Sequence, residues 1–158
     1  MVTKRRIAEF LKRFPQLVVL AYYLYRLVQP KYSVGVVGVI LNEKHEILIV
    51  EHIYHPKNPW GLPGGWTNAN EDPQNTIIRE AKEELDLTIK IERLLLLRHT
   101  GRKHLDIAYL CQPVNEIGQL NSEILDYAWR AKSELPVLHP FHWRAIETAF
   151  CVLERELI

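Results

Sequence analysis

Three glutamates, Glu80, Glu83 and Glu84, constrain this chain more than any other feature. They stand at i, i+3 and i+4, so a helix across them presents three carboxylates on one face. Like charges at that spacing repel by ~0.2–0.5 kcal/mol per pair on an exposed helix. A hard divalent cation bound by carboxylate oxygens is the natural compensation. The plainer alternative is a solvated face whose glutamates pair with Arg79 and Lys82. Just upstream, Gly61-Leu62-Pro63-Gly64-Gly65 supplies a backbone that a ligand can approach closely. A glycine turn leading into an acid-faced helix suits a metal-bound phosphate.

The ends of that helix are written locally. Asp72 precedes Pro73, which pushes its backbone out of the helical region, as an N-cap requires. Pro73 suits the first helical position. At the far end Asp86 occupies the place where a glycine would take the left-handed conformation, and aspartate and asparagine tolerate that region better than other side chains. Asn70, before Glu71, reads as a second position of this kind.

Residues 4–14 carry apolar side chains at helical spacing, and Pro15 opens a second helix that runs to about Val28 and stops at Pro30. Ser33–Leu41 and Glu46–Glu51 read as two strands joined by the turn 42–45 into a hairpin. Residues 52–71 form a long loop with Pro56, Pro59 and Pro63, and loops that long inside a compact domain are usually functional. Thr88–Arg98 and Leu105–Gln112 read as strands, and Phe141–Leu157 as a closing helix. The sum is an α/β sandwich, a mixed sheet flanked by helices, with an N-terminal helical extension at 1–31 and a domain at 32–158.

Length and composition fit one soluble domain: 158 residues, 47% apolar and 25% charged. Cys111 and Cys151 are too few for a disulfide framework. They are expected to be buried and reduced, which suits a cytoplasmic setting. Charge is unevenly placed. Residues 1–31 hold seven basic residues against Glu9, a net of +6, so the remainder carries −5 of the total +1. The apolar run Leu17–Tyr25 is far short of the ~20 residues a membrane span needs. No small-residue cleavage site follows it, so no secretory signal is expected. Two readings of this arm stay open: packing onto the domain or onto a second copy as a homodimer, or weak contact with an acidic membrane surface through its basic flanks and Tyr22, Tyr23 and Tyr25.

The segment Gly65–Leu87 resembles the Nudix box, G-x5-E-x7-R-E-U-x-E-E-x-G-U with U apolar. Gly65, Glu71, Arg79, Glu80, Ala81, Glu83, Glu84 and Leu87 fit it, and Asp86 departs from it in place of glycine. The resemblance implies the Nudix α/β/α sandwich. It also implies metal-dependent hydrolysis of a pyrophosphate linkage in a nucleoside diphosphate-linked compound, with Mg²⁺, or Mn²⁺, as the cation. By the same resemblance Glu80, Glu83, Glu84 and the carbonyl of Gly64 bind the metal. Glu80 or another of these glutamates deprotonates the water, and Arg79 orients the box by pairing with Glu71 or a neighbouring carboxylate. Subfamily markers downstream are absent: Thr100–Leu105 holds neither the proline of ADP-ribose hydrolases nor the tyrosine of diadenosine polyphosphate hydrolases. Elimination leaves nucleoside triphosphates, including oxidised ones, ahead of nucleotide sugars. The rival is a non-catalytic Nudix domain serving as nucleotide sensor or interaction module.

Around the glycine loop, Trp60 and Tyr54 are candidates for stacking a nucleobase beside Gly65, with core packing as the alternative for Trp60. Trp66, Trp129 and Trp143 are read as packing residues. His52, His55 and His99 are read as polar loop or capping residues, or as a base or phosphate contact. Glu123 is read as a surface residue or a further carboxylate at the metal. The expected partner is a small nucleotide, with no nucleic acid.

Overall fold

The computed structural model describes residues 2–54 and 56–156. The chain divides into two units, Met1–Lys31 and Tyr32–Ile158. His55 and the end of the closing helix at Leu157 lie outside the described residues.

The first unit is two helices, α1 (Val2–Arg13) and α2 (Pro15–Val28). Phe14 ends α1, its amide donating to the carbonyls of Phe10 (3.2 Å) and Leu11 (3.3 Å). Pro15 then fills the first turn of α2, where no amide hydrogen is needed, and Gln29, held extended before Pro30, closes it. None of the residues of α2 is buried, although the helix is apolar over nearly its whole length. At 14 residues it is about 21 Å long by the 1.5 Å rise per residue. Among the described residues no helix is long and apolar enough to cross a membrane.

The second unit is a three-layer α/β/α sandwich. A four-stranded mixed sheet runs in the order β4 (Gly64–Trp66), β1 (Ser33–Ile40), β6 (His104–Pro113), β5 (Ile89–Gly101). Within it β1 and β6 are parallel, and the other pairs are antiparallel. A second, antiparallel sheet holds β3 (Trp60–Gly61), β2 (Ile47–His52) and β7 (Ile124–Arg130). Alternate residues of β1 point to opposite layers. Val36 and Ile40 pack with Ile77, Ala81 and Leu85 of α3 (Pro73–Leu85). Val37 and Val39 pack with Phe141, Ala145 and Ile146 of α4 (Pro140–Glu156).

The structure departs from four of the sequence expectations. The hairpin of Ser33–Leu41 with Glu46–Glu51 does not form a ladder: only Leu41 and Ile47 bridge. β1 is buried on both faces and takes β4 and β6 as neighbours, while β2 passes into the other sheet. A strand apolar on every side belongs at the centre of a sheet, and the 42–45 turn carries the chain across. The long loop is interrupted by the short strands β3 and β4. Finally, Cys111 is buried but Cys151 is exposed, on the outer side of α4, and Trp143 is 40% exposed rather than core. Trp129 does pack against the α3-side core.

Candidate active site

Helix α3 carries its glutamates at graded depths. Its buried stripe is Thr76, Ile77, Ala81, Glu84 and Leu85, so Glu84 falls in line with the core, 4% exposed, Glu80 is half-buried and Glu83 faces solvent. The ends behave as the local chemistry dictates. Asp72 caps the helix, accepting from the Gln74 amide at 2.8 Å. Asp86 is left-handed at φ 49° and donates its amide to the carbonyls of Ala81 and Lys82. Asn70 is also left-handed, at φ 66°.

Arg79 organises the acidic face. Its Nε donates to Glu71 Oε1 (2.8 Å), and Nη2 to Glu71 Oε2 and the Trp66 carbonyl (both 3.1 Å). Nη1 donates to Glu80 Oε1 and Glu83 Oε2, both at 2.9 Å. All five guanidinium hydrogens are thereby used. Glu71 also accepts from the Asn68 amide (2.9 Å) and the Thr76 hydroxyl (3.1 Å). These donors, Arg79 first, hold its carboxyl down at about 2.

Glu84 is in the opposite condition. Its Oε2 accepts the Gly64 amide at 3.3 Å, and burial, reinforced by the charge of Glu80, pushes its carboxyl up to about 8. Glu80 is raised as well, chiefly by burial. The charge of Glu123 contributes to both shifts, so Glu123 stands within electrostatic reach of the site. Among the described residues no three His, Cys, Asp or Glu side chains already converge as metal ligands: Arg79 draws Glu80 and Glu83 towards itself.

The two glycines of β4 make the wall beside these carboxylates thin. Gly64 has φ 149° and a Cβ there would collide with the Val36 carbonyl; at Gly65 it would collide with the Glu80 carboxylate. On the other side of β4 lies a cavity of about 580 Å³, within the range of small-molecule sites. Tyr54, Lys57 and Trp60 line it with His52, His139 and His142, and Trp66, His104 and Asp106 line it elsewhere. His142 accepts the Leu62 amide on Nδ1 at 3.2 Å, which leaves its Nε2 as the protonated nitrogen in the neutral ring.

The sequence-predicted residues are therefore gathered as follows. Glu71, Arg79, Glu80, Glu83, Glu84, Gly64 and Gly65 form one cluster, and Trp60 and Tyr54 line the adjoining cavity. Gly64 meets Glu84 through its amide. Trp66, read as a packing residue, is 62% exposed and stands against the His104 ring, centroids 4.9 Å apart. His99 is not part of the cavity lining; it meets Tyr32 edge-on. Sequence reasoning missed His104, Asp106 and His142. The one available signal was the polar pair His104 and Asp106, two apart at the start of an otherwise apolar strand.

A family model described as the NUDIX domain matches residues 31–149. The chain belongs to the Nudix family. A MutT-like protein of Streptomyces ambofaciens is 26% identical over 107 residues, covering 67% of this chain and 68% of that protein. Other curated Nudix relatives are longer than the matched region: the chain spans 23% and 52% of two of them. A UDP-X diphosphatase structure shares the fold at TM-score 0.67 and 20% identity, covering 96% of this chain and 82% of that one. An ADP-ribose pyrophosphatase from Streptococcus suis shares it at TM-score 0.64 and 23% identity, covering 80% and 92%.

Proposed function

We propose that this Nudix protein hydrolyses the pyrophosphate linkage of a nucleoside diphosphate-linked compound with a divalent cation, Mg²⁺ or Mn²⁺, held by Glu80, Glu83 and Glu84 with the Gly64 carbonyl. The observation that carries the reading is Glu84, a carboxylate buried beside Gly64 with no cationic side chain among its hydrogen-bond partners in the described residues and its proton affinity raised. Burying a charge is expensive unless it is paired, and hard oxygen donors on one helix face fit Mg²⁺ or Mn²⁺. When bound, such a cation neutralises pyrophosphate charge and activates water. The protein's own groups do the rest. Arg79 fixes Glu71 and holds Glu80 and Glu83 on the face where the cation would be bound. Glu80, half-buried with its proton affinity raised, is suited to accept the proton of the attacking water, and the thin β4 wall lets the diphosphate reach both the cavity and the glutamates.

Nucleoside triphosphates, including oxidised ones, stand first by elimination. Neighbours described as a UDP-X diphosphatase and an ADP-ribose pyrophosphatase support diphosphate-linked sugars as the competing class. Phosphate and pyrophosphate release from nucleoside triphosphates, 8-oxo-dGTP, ADP-ribose, dinucleoside polyphosphates and nucleotide sugars, each with Mg²⁺ and Mn²⁺, decides between them. Nucleotide binding with no turnover on any of these would put a sensing role in place of catalysis.

For residues 1–31 a second copy is the cover that matches α2. An interfacial membrane helix needs a polar face, and α2 is apolar over nearly its whole length. Light scattering should read a dimer. A monomer that pellets with anionic vesicles at low salt would favour the membrane surface instead.

A further inference from the structure

The four-stranded sheet brings three residues into one row on the α4 side. Gly35 of β1 pairs with Trp66 of β4 on one edge and with Asp106 of β6 on the other. Because Gly35 has no side chain, a notch opens between the indole and the carboxylate. Asp106 leans over it: a Cβ at Gly35 would lie 2.7 Å from Asp106 Oδ1. All three residues line the cavity.

Asp106 is braced. The Thr100 hydroxyl donates to Oδ2, and Oδ1 lies 3.0 Å from His104 Nε2. The other ring nitrogen, Nδ1, lies 2.9 Å from the Ser33 hydroxyl, so the imidazole is held at both ends. The carboxylate has about four acceptor positions, and these two partners leave acceptor capacity to spare on a side chain that lines the cavity and is 17% exposed. Its neighbours along the same face are apolar, Val37 and Ala108. A fold that needed only packing at this row would do better with an apolar residue, since an aspartate near the interior must be hydrogen-bonded to be tolerated. A rigid carboxylate beside an exposed indole accepts hydrogen bonds from an aromatic or sugar group lying on that indole, and it repels a phosphate.

We propose that Asp106, positioned by His104 and Thr100, is the specificity-determining residue of the cavity, and that it selects the donor-bearing organic group of the substrate, either sugar hydroxyls or an exocyclic base amine. This assignment rests on the proposed hydrolysis for its substrates, but its binding test does not require turnover.

Affinity for UDP-glucose, ADP-ribose, dGTP and dITP would be read from tryptophan fluorescence without divalent cation. Steady-state kinetics with Mg²⁺ would follow, for wild type, D106N and H104Q, with melting temperatures alongside. D106N should weaken binding and raise KM by about tenfold or more for the compound that wild type prefers, the loss of one charge-assisted hydrogen bond. It should also change the ranking among the four. H104Q should fall between wild type and D106N. A loss confined to UDP-glucose and ADP-ribose assigns sugar hydroxyls to Asp106. A loss for dGTP but not for dITP, which lacks the exocyclic amine, assigns the base. Equal effects on all four compounds, or none, with an unchanged melting temperature would overturn the proposal and leave the hydrolase reading standing. Binding that depends on Asp106 without turnover would do the reverse. A wild type that neither binds nor hydrolyses any of the four would overturn both.

Discussion

Glu71 and Glu84 serve the same acidic face and carry the same side chain, yet their protons behave in opposite ways. Glu71 precedes α3 and receives an Arg79 fork, an amide and a hydroxyl, and its carboxyl sits at about 2. Glu84 lies one turn beyond Arg79 on the buried stripe, receives a single long amide bond from Gly64, and is pushed up to about 8. The first carboxylate is neutralised by the protein itself. The second is placed at depth with only the Gly64 amide donating to it among the described residues. On the function proposed above, the difference separates a scaffold charge from a charge that serves a ligand, within 14 residues of chain.

The largest effect should come from removing the charge on the ligand side. E83Q and E84Q should each lower kcat/KM by at least about a hundredfold, the scale of losing one group that stabilises developing charge. The melting temperature of E84Q should not fall, because a neutral amide suits that depth better than a carboxylate. A fall in activity below threefold for both would break the contrast between the two glutamates.

Next is the glycine that supplies Glu84 with its one donor. G64A combines a left-handed φ with a collision against the Val36 carbonyl, and should lower unfolding stability by more than about 2 kcal/mol, measured by denaturant titration. An unchanged midpoint would mean that β4 shifts freely, and that the Gly64 contact has no role in setting the state of Glu84.

The two carboxyls also predict opposite pH dependences of stability. Glu71 has a folded value below its unfolded value. Its contribution is present above about 4.5 and is lost as pH falls towards about 2. Glu84 has a folded value above its unfolded value, so the native state binds the extra proton, and stability falls as pH rises from about 4.5 to about 8. Thermal melts across that range should show E71Q with a shallower acid limb and E84Q with a flatter neutral limb. Added Mg²⁺ should flatten the neutral limb of wild type. Superimposable curves for wild type and both variants would remove the electrostatic distinction.

The smallest effect is at the helix end. D86G relieves a left-handed aspartate at φ 49° but gives up its exposed pair with Lys82. A net gain of about 0.5 kcal/mol follows, with activity unchanged because the substitution lies away from the carboxylate cluster. A drop in turnover would extend the ligand-serving region to the end of α3.

How much of this was legible depends on the distance over which each feature is decided. The acidic helix, its Asp72 cap and its left-handed Asp86 follow from contacts within about two turns of chain, and the sequence displays them; the Arg79–Glu71 pairing was implied by the resemblance to the Nudix box. The depth of Glu84 was implicit in the spacing of Ile77, Ala81 and Leu85, although its raised proton affinity needed the packed core. The supposed β1–β2 hairpin failed because strand partners are chosen by burial on both faces, which a turn signal between two apolar runs does not encode. Asp106 and His104 were missed for a related reason. Their place beside Trp66 exists only through the register of β4, β1 and β6, which joins residues from three distant parts of the chain. Trp66 was read as packing because nothing in its neighbours reveals that β4 is a sheet edge.

Whether Glu84 serves a cation is tested most directly by titration of the protein with Mn²⁺, followed by electron paramagnetic resonance. Wild type should bind Mn²⁺ saturably, and E84Q should bind it at least about tenfold more weakly, the scale expected for disturbing a metal site. D86G should match wild type. Equal Mn²⁺ affinity in wild type and E84Q would contradict the account.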